Sequence, residues 1–361
     1  MGQLPRRNLT RFGSLSRPLG KMAQQNLQWG VIGTGAIATD FATALQSSER
    51  CGIVNVTSFP GFAQPFAGKF GIARATDSLD ELLADAEVQA VYVATPHPMH
   101  EKLALAAIAA GKHVLVEKPM STSAAAARRI IEAARQKRVF LMEAYMYRCH
   151  PLVTELISRL RAGVIGQIRH VRADFGFRDP RNPKGRLFDV EQAGGGMLDV
   201  GGYPVSFVRL MAGLAVGKAV AEPTRLTAVG QIGPTGVDEF AQATLSFESG
   251  VTAEIACGIR YDFGCAATIF GEEGRIKLDD AWLPGGKRQG LESHFTIERD
   301  DKPTEVVQVN IPRAIYALEA ELVADSLPAT QAIWPAMTWD DTLANLRVMD
   351  QWRAAIGLPA L

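Results

Sequence analysis

A glycine turn between an apolar run and a helical segment is the feature that most limits how this chain of 361 residues can fold. The apolar run LQWGVI covers residues 27–32, and GTGAIA follows at residues 33–38, directly before a segment with helical periodicity. In the pattern G-x-G-x-x-G/A, the first glycine makes a tight turn, the second lets a pyrophosphate approach the backbone, and the last small residue packs helix against strand. Because the helix N-terminus faces the anion, we expect a dinucleotide site here rather than an incidental turn. The residues predicted to bind this cofactor are Gly33, Thr34, Gly35, Ala36 and Ile37.

Strand and helix patterns alternate along the first part of the chain. Strand character appears at residues 27–32, 52–58, 90–95, 113–118 and 139–145. Helical periodicity appears at residues 38–46, 63–70, 100–110 and 123–135, and Ser78 is placed to cap a further helix. This order predicts a Rossmann-type, doubly wound parallel sheet, and we assign residues 27–147 to this α/β domain.

After Tyr147 the pattern changes to two-residue alternation, which is typical of antiparallel strands. It appears at residues 167–177, 238–247, 251–260 and 274–280, and helical periodicity closes the chain at residues 312–327 and 339–356. We therefore expect residues 148–361 to form an α+β substrate-binding and dimerisation domain on a mostly antiparallel, open sheet. The closing helices are expected to pack back on the first domain.

Composition and charge limit the partners and the compartment. Lys plus Arg equals Asp plus Glu at 38 each, so no global basic field exists to bind nucleic acid or an anionic membrane. The 4 cysteines form no CxxC pair, which suits a reducing compartment and predicts no metal site, and we expect a cytoplasmic protein. Residues 1–26 are basic and are expected to be a disordered tail; they could be a targeting segment, but no apolar stretch follows Arg6 and Arg7.

The choice between NADP and NAD depends on the residues about 20 positions beyond the glycine turn. Residues 55–59 read NVTSF, with Ser58 and Phe59 where an NAD enzyme usually carries an acid and where a cation would meet a 2′-phosphate. The missing acid favours NADP over NAD. NAD remains an alternative because no cation is present at this position either. Lys69 and Arg74 are distant alternatives and more consistent with solvated surface charges.

Two further segments carry candidate chemistry. Lys118 stands before a proline at the carboxyl end of a predicted parallel strand, the edge where doubly wound sheets bind ligands. In GGGMLDVGGYP, Asp199 and Tyr203 would share a helix face, and a nearby ammonium such as that of Lys118 would favour the phenolate. The alternative is a capping aspartate, a core tyrosine and a surface lysine.

The motifs GTGAIA, ATPHPMH, VEKPM, MEAYMYRCHP and GGGMLDVGGYP occur in the order and spacing of the Gfo/Idh/MocA oxidoreductase family, which residues 27–361 resemble. Tyr203 places the chain near a branch similar to dimeric dihydrodiol dehydrogenases, NADP-dependent D-xylose dehydrogenases and glucose-fructose oxidoreductase. At Ser58-Phe59 the chain departs from the Ser-Arg that NADP users of this family tend to show.

The resemblance implies a role for each matching residue. Tyr203 would be the general acid/base, Lys118 would bind the reacting oxygen and the cofactor ribose, and Asp199 would orient the substrate. The nicotinamide side of the site would be lined by Thr95, Pro96 and His100. The cofactor ribose would be contacted by Glu117. Arg148 would lie near the substrate, or else form an ion pair at the end of a strand. Phe177, together with Phe175, would form a wall of the substrate pocket, or else pack in the core.

We therefore expect an NAD(P)-dependent dehydrogenase that transfers hydride between a carbinol carbon of a sugar or diol and nicotinamide. One alternative is an aldose-aldose oxidoreductase with tightly bound NADP, and another, from a different class, is a non-catalytic sensor of sugar or cofactor. A homodimer or higher oligomer is expected, and the apolar alternation between Glu239 and Ile259 is compatible with a buried sheet face.

Overall fold

The computed structural model describes residues 26–180, 182, 185–287 and 292–361. The predicted tail lies outside these ranges, except for Asn26. Two β-sheets organise this part of the chain, and helices pack against both of them. Within it, no helix combines the length and the apolar character needed to cross a membrane.

The first sheet is parallel and has six strands among the described residues. They are β1 (Leu27–Ile32), β2 (Cys51–Thr57), β3 (Arg74–Thr76), β4 (Ala90–Val93), β5 (His113–Glu117) and β6 (Leu141–Ala144). Their spatial order, β3-β2-β1-β4-β5-β6, is that of the doubly wound fold. Every residue of β4 is buried, as expected for a parallel strand covered on both faces. The predicted Rossmann-type fold is confirmed.

Helices connect these strands and cover the sheet. They are α1 (Ala36–Leu45), α2 (Ala63–Phe70), α3 (Leu79–Ala84), α4 (His100–Ala109) and α5 (Ala124–Lys137). The predicted cap at Ser78 is present, because its side chain accepts a hydrogen bond from the backbone N–H of Glu81.

The second sheet has eight strands in the described ranges, in the order β14-β13-β12-β11-β7-β10-β9-β8. Their bounds are β7 (Ile168–Gly176), β8 (Pro223–Ile232), β9 (Asp238–Phe247), β10 (Thr252–Gly258), β11 (Ala267–Gly271), β12 (Arg275–Leu278), β13 (Glu292–Arg299) and β14 (Lys302–Asn310). Strands β7 and β10 pair in parallel, and the other neighbouring pairs are antiparallel. The predicted mostly antiparallel sheet is therefore confirmed.

The apolar alternation between Glu239 and Ile259 does not form an exposed face. Its side chains point into the core of the same chain, where Leu245 is 0% exposed and Ile255 is 1% exposed. Burial within a single chain therefore accounts for this apolar alternation, and the alternation gives no support for a dimer.

The remaining helices join the two sheets. They are α6 (Pro151–Arg161), α7 (Gly202–Leu214), α8 (Ile315–Ser326) and α9 (Trp339–Ala355). Helix α8 packs against α1, and Ser48 Oγ, in the segment after α1, donates to Glu321 Oε1 at 2.9 Å. Helix α9 packs against α5, and Asp350 Oδ2 accepts from the N–H of Ala124 at 3.1 Å. The closing helices thus contact two of the helices that cover the first sheet.

A buried ion network ties the end of β6 to α7 and α9. Asp341 on α9 accepts from Arg148 Nη2 at 2.8 Å and from Arg209 Nη1 on α7 at 2.6 Å. Arg148 also donates to Ser206 Oγ on α7 at 2.9 Å and to the carbonyl of Pro335 at 2.5 Å. Burial would raise the pKa of Asp341, but the two guanidinium groups hold it below its ordinary value.

Replacing the shared carboxylate tests how much this network stabilises the fold. We expect Asp341→Asn to lower the free energy of unfolding by about 3–5 kcal/mol, because two buried guanidinium groups lose their only anionic partner in the network. Urea denaturation monitored by circular dichroism measures the change. Arg129→Ala, which breaks a surface ion pair with Glu101, is the control and should leave the midpoint nearly unchanged. A loss below about 1 kcal/mol in Asp341→Asn would contradict the prediction.

Candidate active site

A cavity of about 490 Å³ opens at the carboxyl ends of β1, β2 and β4. The glycine turn after β1 forms one side, Ser58 follows β2, and Thr95 and Pro96 follow β4. This is the edge at which doubly wound sheets bind their ligands.

The two glycines of the turn are required for different reasons. Gly33 has a φ of +106°, and a Cβ atom there would lie 2.5 Å from the carbonyl oxygen of Ala94, so the fold itself requires glycine. A Cβ at Gly35 would meet no atom within 4 Å. The open space beside Gly35 fits a ligand that approaches the backbone. Helix α1 starts at Ala36, and the backbone N–H groups of Ala36 and Ile37 have no acceptor within the helix.

Polar groups around the cavity suit a dinucleotide. Thr34 Oγ1 and Ser58 Oγ lie 2.9 Å apart and offer two hydroxyl groups at the end of β2. Thr95 Oγ1 is buried without a hydrogen-bond partner among the described groups. A buried hydroxyl of this kind is stabilised when a ligand supplies the missing contact. The residues therefore fit the predicted cofactor.

His100 and Glu117 support the cavity from the core. His100 is fully buried, and its two ring nitrogens lie 2.9 Å from the carbonyl oxygen of Pro119 and 2.8 Å from that of Thr95. Its ring therefore lies between the backbone after β4 and the backbone after β5, and because burial lowers its pKa, the neutral ring donates to one of these two carbonyl oxygens. Glu117 accepts a hydrogen bond from the Tyr92 hydroxyl, and burial raises the pKa of its carboxyl group although Lys118 lowers it.

Lys118, Asp199 and Tyr203 lie together where the two halves of the chain meet. Lys118 Nζ donates to the backbone carbonyl of Asp199 at 2.6 Å and lies 5.3 Å from the centroid of the Tyr203 ring. Asp199 stands in a π-helical turn, Met197–Gly201, and Tyr203 in the first turn of α7. The predicted lysine, acid and phenol are therefore brought into one cluster.

The protonation states in this cluster differ from the expected phenolate. Burial raises the pKa of Tyr203 well above its ordinary value, and its hydroxyl donates to the Met146 thioether at 3.3 Å, a weak acceptor. Lys118 lies over the ring and makes no hydrogen bond to the phenol oxygen, so burial prevails. Burial would also raise the pKa of Asp199, but Lys118 and Arg186 hold it below its ordinary value.

Two charged or titratable residues join the site without having been singled out as site residues from the sequence. Arg186 Nη2 donates to Asp199 Oδ1 at 2.8 Å from a short turn, Arg186–Phe188. His97 is 6% exposed, and its Nδ1 lies 3.2 Å from the carbonyl oxygen of Ala193. Burial lowers the pKa of His97 to about 3, with His100 and Arg186 adding to the shift, so the ring is neutral near pH 7. The ATPHPMH motif contained a signal for His97, whereas nothing in the sequence separates Arg186 from the other arginines nearby.

Aromatic rings surround Tyr203. The ring centroids of Phe175 and Trp282 lie 5.3 Å and 5.8 Å from that of Tyr203. Phe177, the predicted substrate contact, packs both against the main core and against a small cluster that contains Phe188. Trp282 has no motif around it, and its place follows only from the fold.

Arg148 is placed away from the cluster. Its side chain is 0% exposed and binds Asp341, Ser206 and the Pro335 carbonyl. Arg148 therefore forms a buried ion pair, which was the alternative to a substrate contact. The guanidinium is not positioned to contact a substrate. Among the described residues, no group of three or more His, Cys, Asp or Glu side chains is arranged to hold a metal ion.

Comparison with known proteins places this geometry in a family. Residues 27–145 match the oxidoreductase family with an NAD-binding Rossmann fold, Gfo/Idh/MocA, and residues 153–277 match the Gfo/Idh/MocA C-terminal domain.

Named relatives agree with this match. The trans-1,2-dihydrobenzene-1,2-diol dehydrogenase of Mus musculus is 38% identical over 261 residues, which cover 72% of this chain and 76% of that protein. The enzyme of the same name from Danio rerio is 33% identical over 337 residues, covering 92% and 97%. Among solved structures, KijD10, a 3-ketoreductase from Actinomadura kijaniata in complex with NADP and TDP-benzene, is similar with a TM-score of 0.78 and 26% identity, covering 92% and 98%. The chain therefore belongs to the Gfo/Idh/MocA family of NAD(P)-dependent oxidoreductases.

Proposed function

We propose that this protein is a dehydrogenase that moves hydride between a carbinol carbon of a sugar or diol and nicotinamide, with Tyr203 transferring the hydroxyl proton. The observation that carries the proposal is the cluster of Lys118, Asp199 and Tyr203, which adjoins the strand edge where the cavity opens. The names of the relatives, a diol dehydrogenase and a 3-ketoreductase, support a hydroxyl or carbonyl substrate.

Each residue of the cluster has a distinct part in the proposed reaction. The bound cofactor supplies the hydride chemistry. Tyr203 holds a proton at its hydroxyl and donates it to a carbonyl oxygen in reduction, or accepts it from a hydroxyl group in oxidation. Lys118, which is held by the backbone carbonyl of Asp199, provides a cation and N–H donors for the reacting oxygen. The ionised carboxylate of Asp199 binds Arg186 and can accept a hydrogen bond from a substrate hydroxyl.

The cofactor contacts are part of the same proposal. The pyrophosphate would lie at Gly35 and the start of α1, the ribose near Ser58 or Glu117, and the nicotinamide beside Thr95 and Pro96. His100 would act through the backbone that it contacts.

Two outcomes would favour the alternative functions. A cofactor that stays bound through purification would favour the aldose-aldose oxidoreductase, and cofactor binding without turnover of sugars or diols would favour a sensor.

We also propose a cytoplasmic homodimer. All 4 cysteines are free, which suits a reducing compartment. Val229 and Ile232 on β8 are 65% and 47% exposed, and a second copy could cover them. Light scattering during size-exclusion chromatography measures the mass directly, and a monomer at micromolar concentration would contradict the dimer.

Removing the phenol oxygen tests the proton carrier. We expect Tyr203→Phe to lower kcat by about 10² to 10⁴-fold while keeping the thermal midpoint, because the ring contacts remain and only a weak hydrogen bond is lost. The assay is NAD(P)H absorbance at 340 nm with D-xylose, D-glucose and a trans-dihydrodiol.

Tyr147→Phe is the matched control for that variant. It removes a buried phenol oxygen that bonds Ser206, outside the proposed proton path, and should keep most of the activity. Equal activity of Tyr203→Phe and wild type would refute the role of Tyr203.

The pH dependence follows from the raised pKa of Tyr203. Below that pKa the phenolate fraction rises about tenfold per pH unit, so log(kcat/KM) for oxidation should rise with a slope of about 1 between about pH 6 and 9. Reduction needs the protonated phenol and should be nearly flat over this range. Because His97 is neutral and Asp199 ionised there, neither should add a break; an oxidation rate that falls with pH would contradict this assignment.

A pair of glycine variants separates folding from cofactor binding. Gly33→Ala places a Cβ against the Ala94 carbonyl, so we expect a lower thermal midpoint as well as lost NAD⁺ and NADP⁺ binding. Gly35→Ala meets no protein atom, so the midpoint should hold while binding weakens at least about tenfold. Differential scanning fluorimetry and isothermal titration calorimetry measure the two effects. Unchanged binding by Gly35→Ala would place the pyrophosphate elsewhere.

A further inference from the structure

We infer that the adenosine end of the cavity selects NAD over NADP, with Phe59 and Phe62 stacking on the adenine. The inference deepens the proposed function and rests on it, because it concerns the cofactor of the same site. It reverses the preference that the missing acid alone suggests, and it differs from the cofactor in the solved 3-ketoreductase, which holds NADP.

The charge of the cavity lining is the first argument. Among the described residues that line it, Asp77 is the only one with an ionisable side chain. The 2′-phosphate of NADP carries a charge between −1 and −2 near pH 7 and needs cationic partners when it leaves water. This lining supplies no cation, and the exposed carboxylate of Asp77 adds repulsion, although solvent screens it.

The two nearby cations considered from the sequence are engaged elsewhere. Arg74 Nε donates to Asp85 Oδ2 at 2.7 Å, and its Nη2 donates to Glu87 Oε2 at 2.8 Å. Lys69 Nζ lies 5.0 Å from the centroid of the Phe70 ring. Neither side chain lines the cavity, so neither is in place to meet a 2′-phosphate.

The aromatic side chains are the second argument. Phe59 and Phe62 line the cavity and are 61% and 63% exposed, among the most exposed large apolar side chains in the described chain. Such exposure has a free-energy cost in water that a planar ligand can relieve, and stacking of a base on an aromatic ring is favourable for any base. The adenine ring, common to NAD and NADP, fits this surface.

The groups nearest the predicted position of the adenosine ribose, beside Ser58, are neutral. Ser58 Oγ and Thr34 Oγ1, which lie 2.9 Å apart, can exchange hydrogen bonds with a 2′-hydroxyl. Hydroxyl groups offer a dianion only two neutral donors, which do not offset its desolvation. The site is therefore matched to the unphosphorylated ribose.

Direct binding measures the selectivity without any substrate. Isothermal titration calorimetry of the full chain with NAD⁺ and with NADP⁺ should give a Kd for NAD⁺ at least about tenfold lower. NADP⁺ binding as tightly as NAD⁺, or more tightly, would overturn this inference and leave the proposed function intact. If neither dinucleotide binds, the proposed function itself fails.

Charge and stacking can be tested separately by substitution. Phe59→Arg should tighten NADP⁺ binding about tenfold or more and change NAD⁺ binding much less, because the guanidinium can pair with the 2′-phosphate. Ile333→Arg makes the same charge change at a side chain that is 76% exposed and outside the cavity lining, and it should leave the NAD⁺/NADP⁺ ratio unchanged. Phe62→Ser should weaken both cofactors by a similar factor. An unchanged ratio in Phe59→Arg would place the ribose away from Phe59 and overturn the inference.

Discussion

The ion network around Asp341 fixes the helix that carries the proposed proton donor. One carboxylate on α9 binds two guanidinium groups, Arg148 from the turn after β6 and Arg209 from α7, with contacts of 2.8 Å and 2.6 Å. Arg148 also binds Ser206, one turn along α7 from Tyr203. Because buried charges are stable only when their partners are well placed, this arrangement admits little displacement of α7 from the first sheet. The position of Tyr203 relative to the cavity depends on it.

The candidate site therefore exists only where the two sheets meet. Lys118 comes from the carboxyl end of β5, Asp199 from the π-helical turn before α7 and Tyr203 from the first turn of α7. The hydrogen bond of 2.6 Å from Lys118 to the Asp199 carbonyl connects the two sides within this cluster. The dinucleotide half supplies a rigid edge with an open space beside Gly35. The second half supplies the proton carrier and its aromatic surroundings, so exchanging that half would change the substrate while leaving the cofactor chemistry in place.

Local signals predicted most of the fold and part of the site. The glycine turn, the alternation of strands and helices, and the spacing of Asp199 and Tyr203 are short-range patterns, so the sequence was sufficient for them. Arg186, Trp282 and the true partners of Arg148 depend on contacts between distant segments, which no periodicity encodes. The raised pKa of Tyr203 also escaped prediction, since it follows from burial under rings brought together by the second sheet. The sequence alone could not show that the ring of Phe175 lies 5.3 Å from that of Tyr203, whereas Phe177 also packs against the cluster around Phe188.

The packing of α8 and α9 on the dinucleotide half has a consequence for biosynthesis. These helices lie at residues 315–355, yet they cover α1 and α5 through Ser48–Glu321 and Ala124–Asp350 contacts. A nascent chain that has completed the first sheet still exposes those helix faces until about 200 further residues are made, which takes roughly 10 to 40 s at the usual rates of bacterial and eukaryotic translation. During that interval the helix faces that α8 and α9 cover stay exposed, so the packing of the half that binds the cofactor is completed only after the last helix is made.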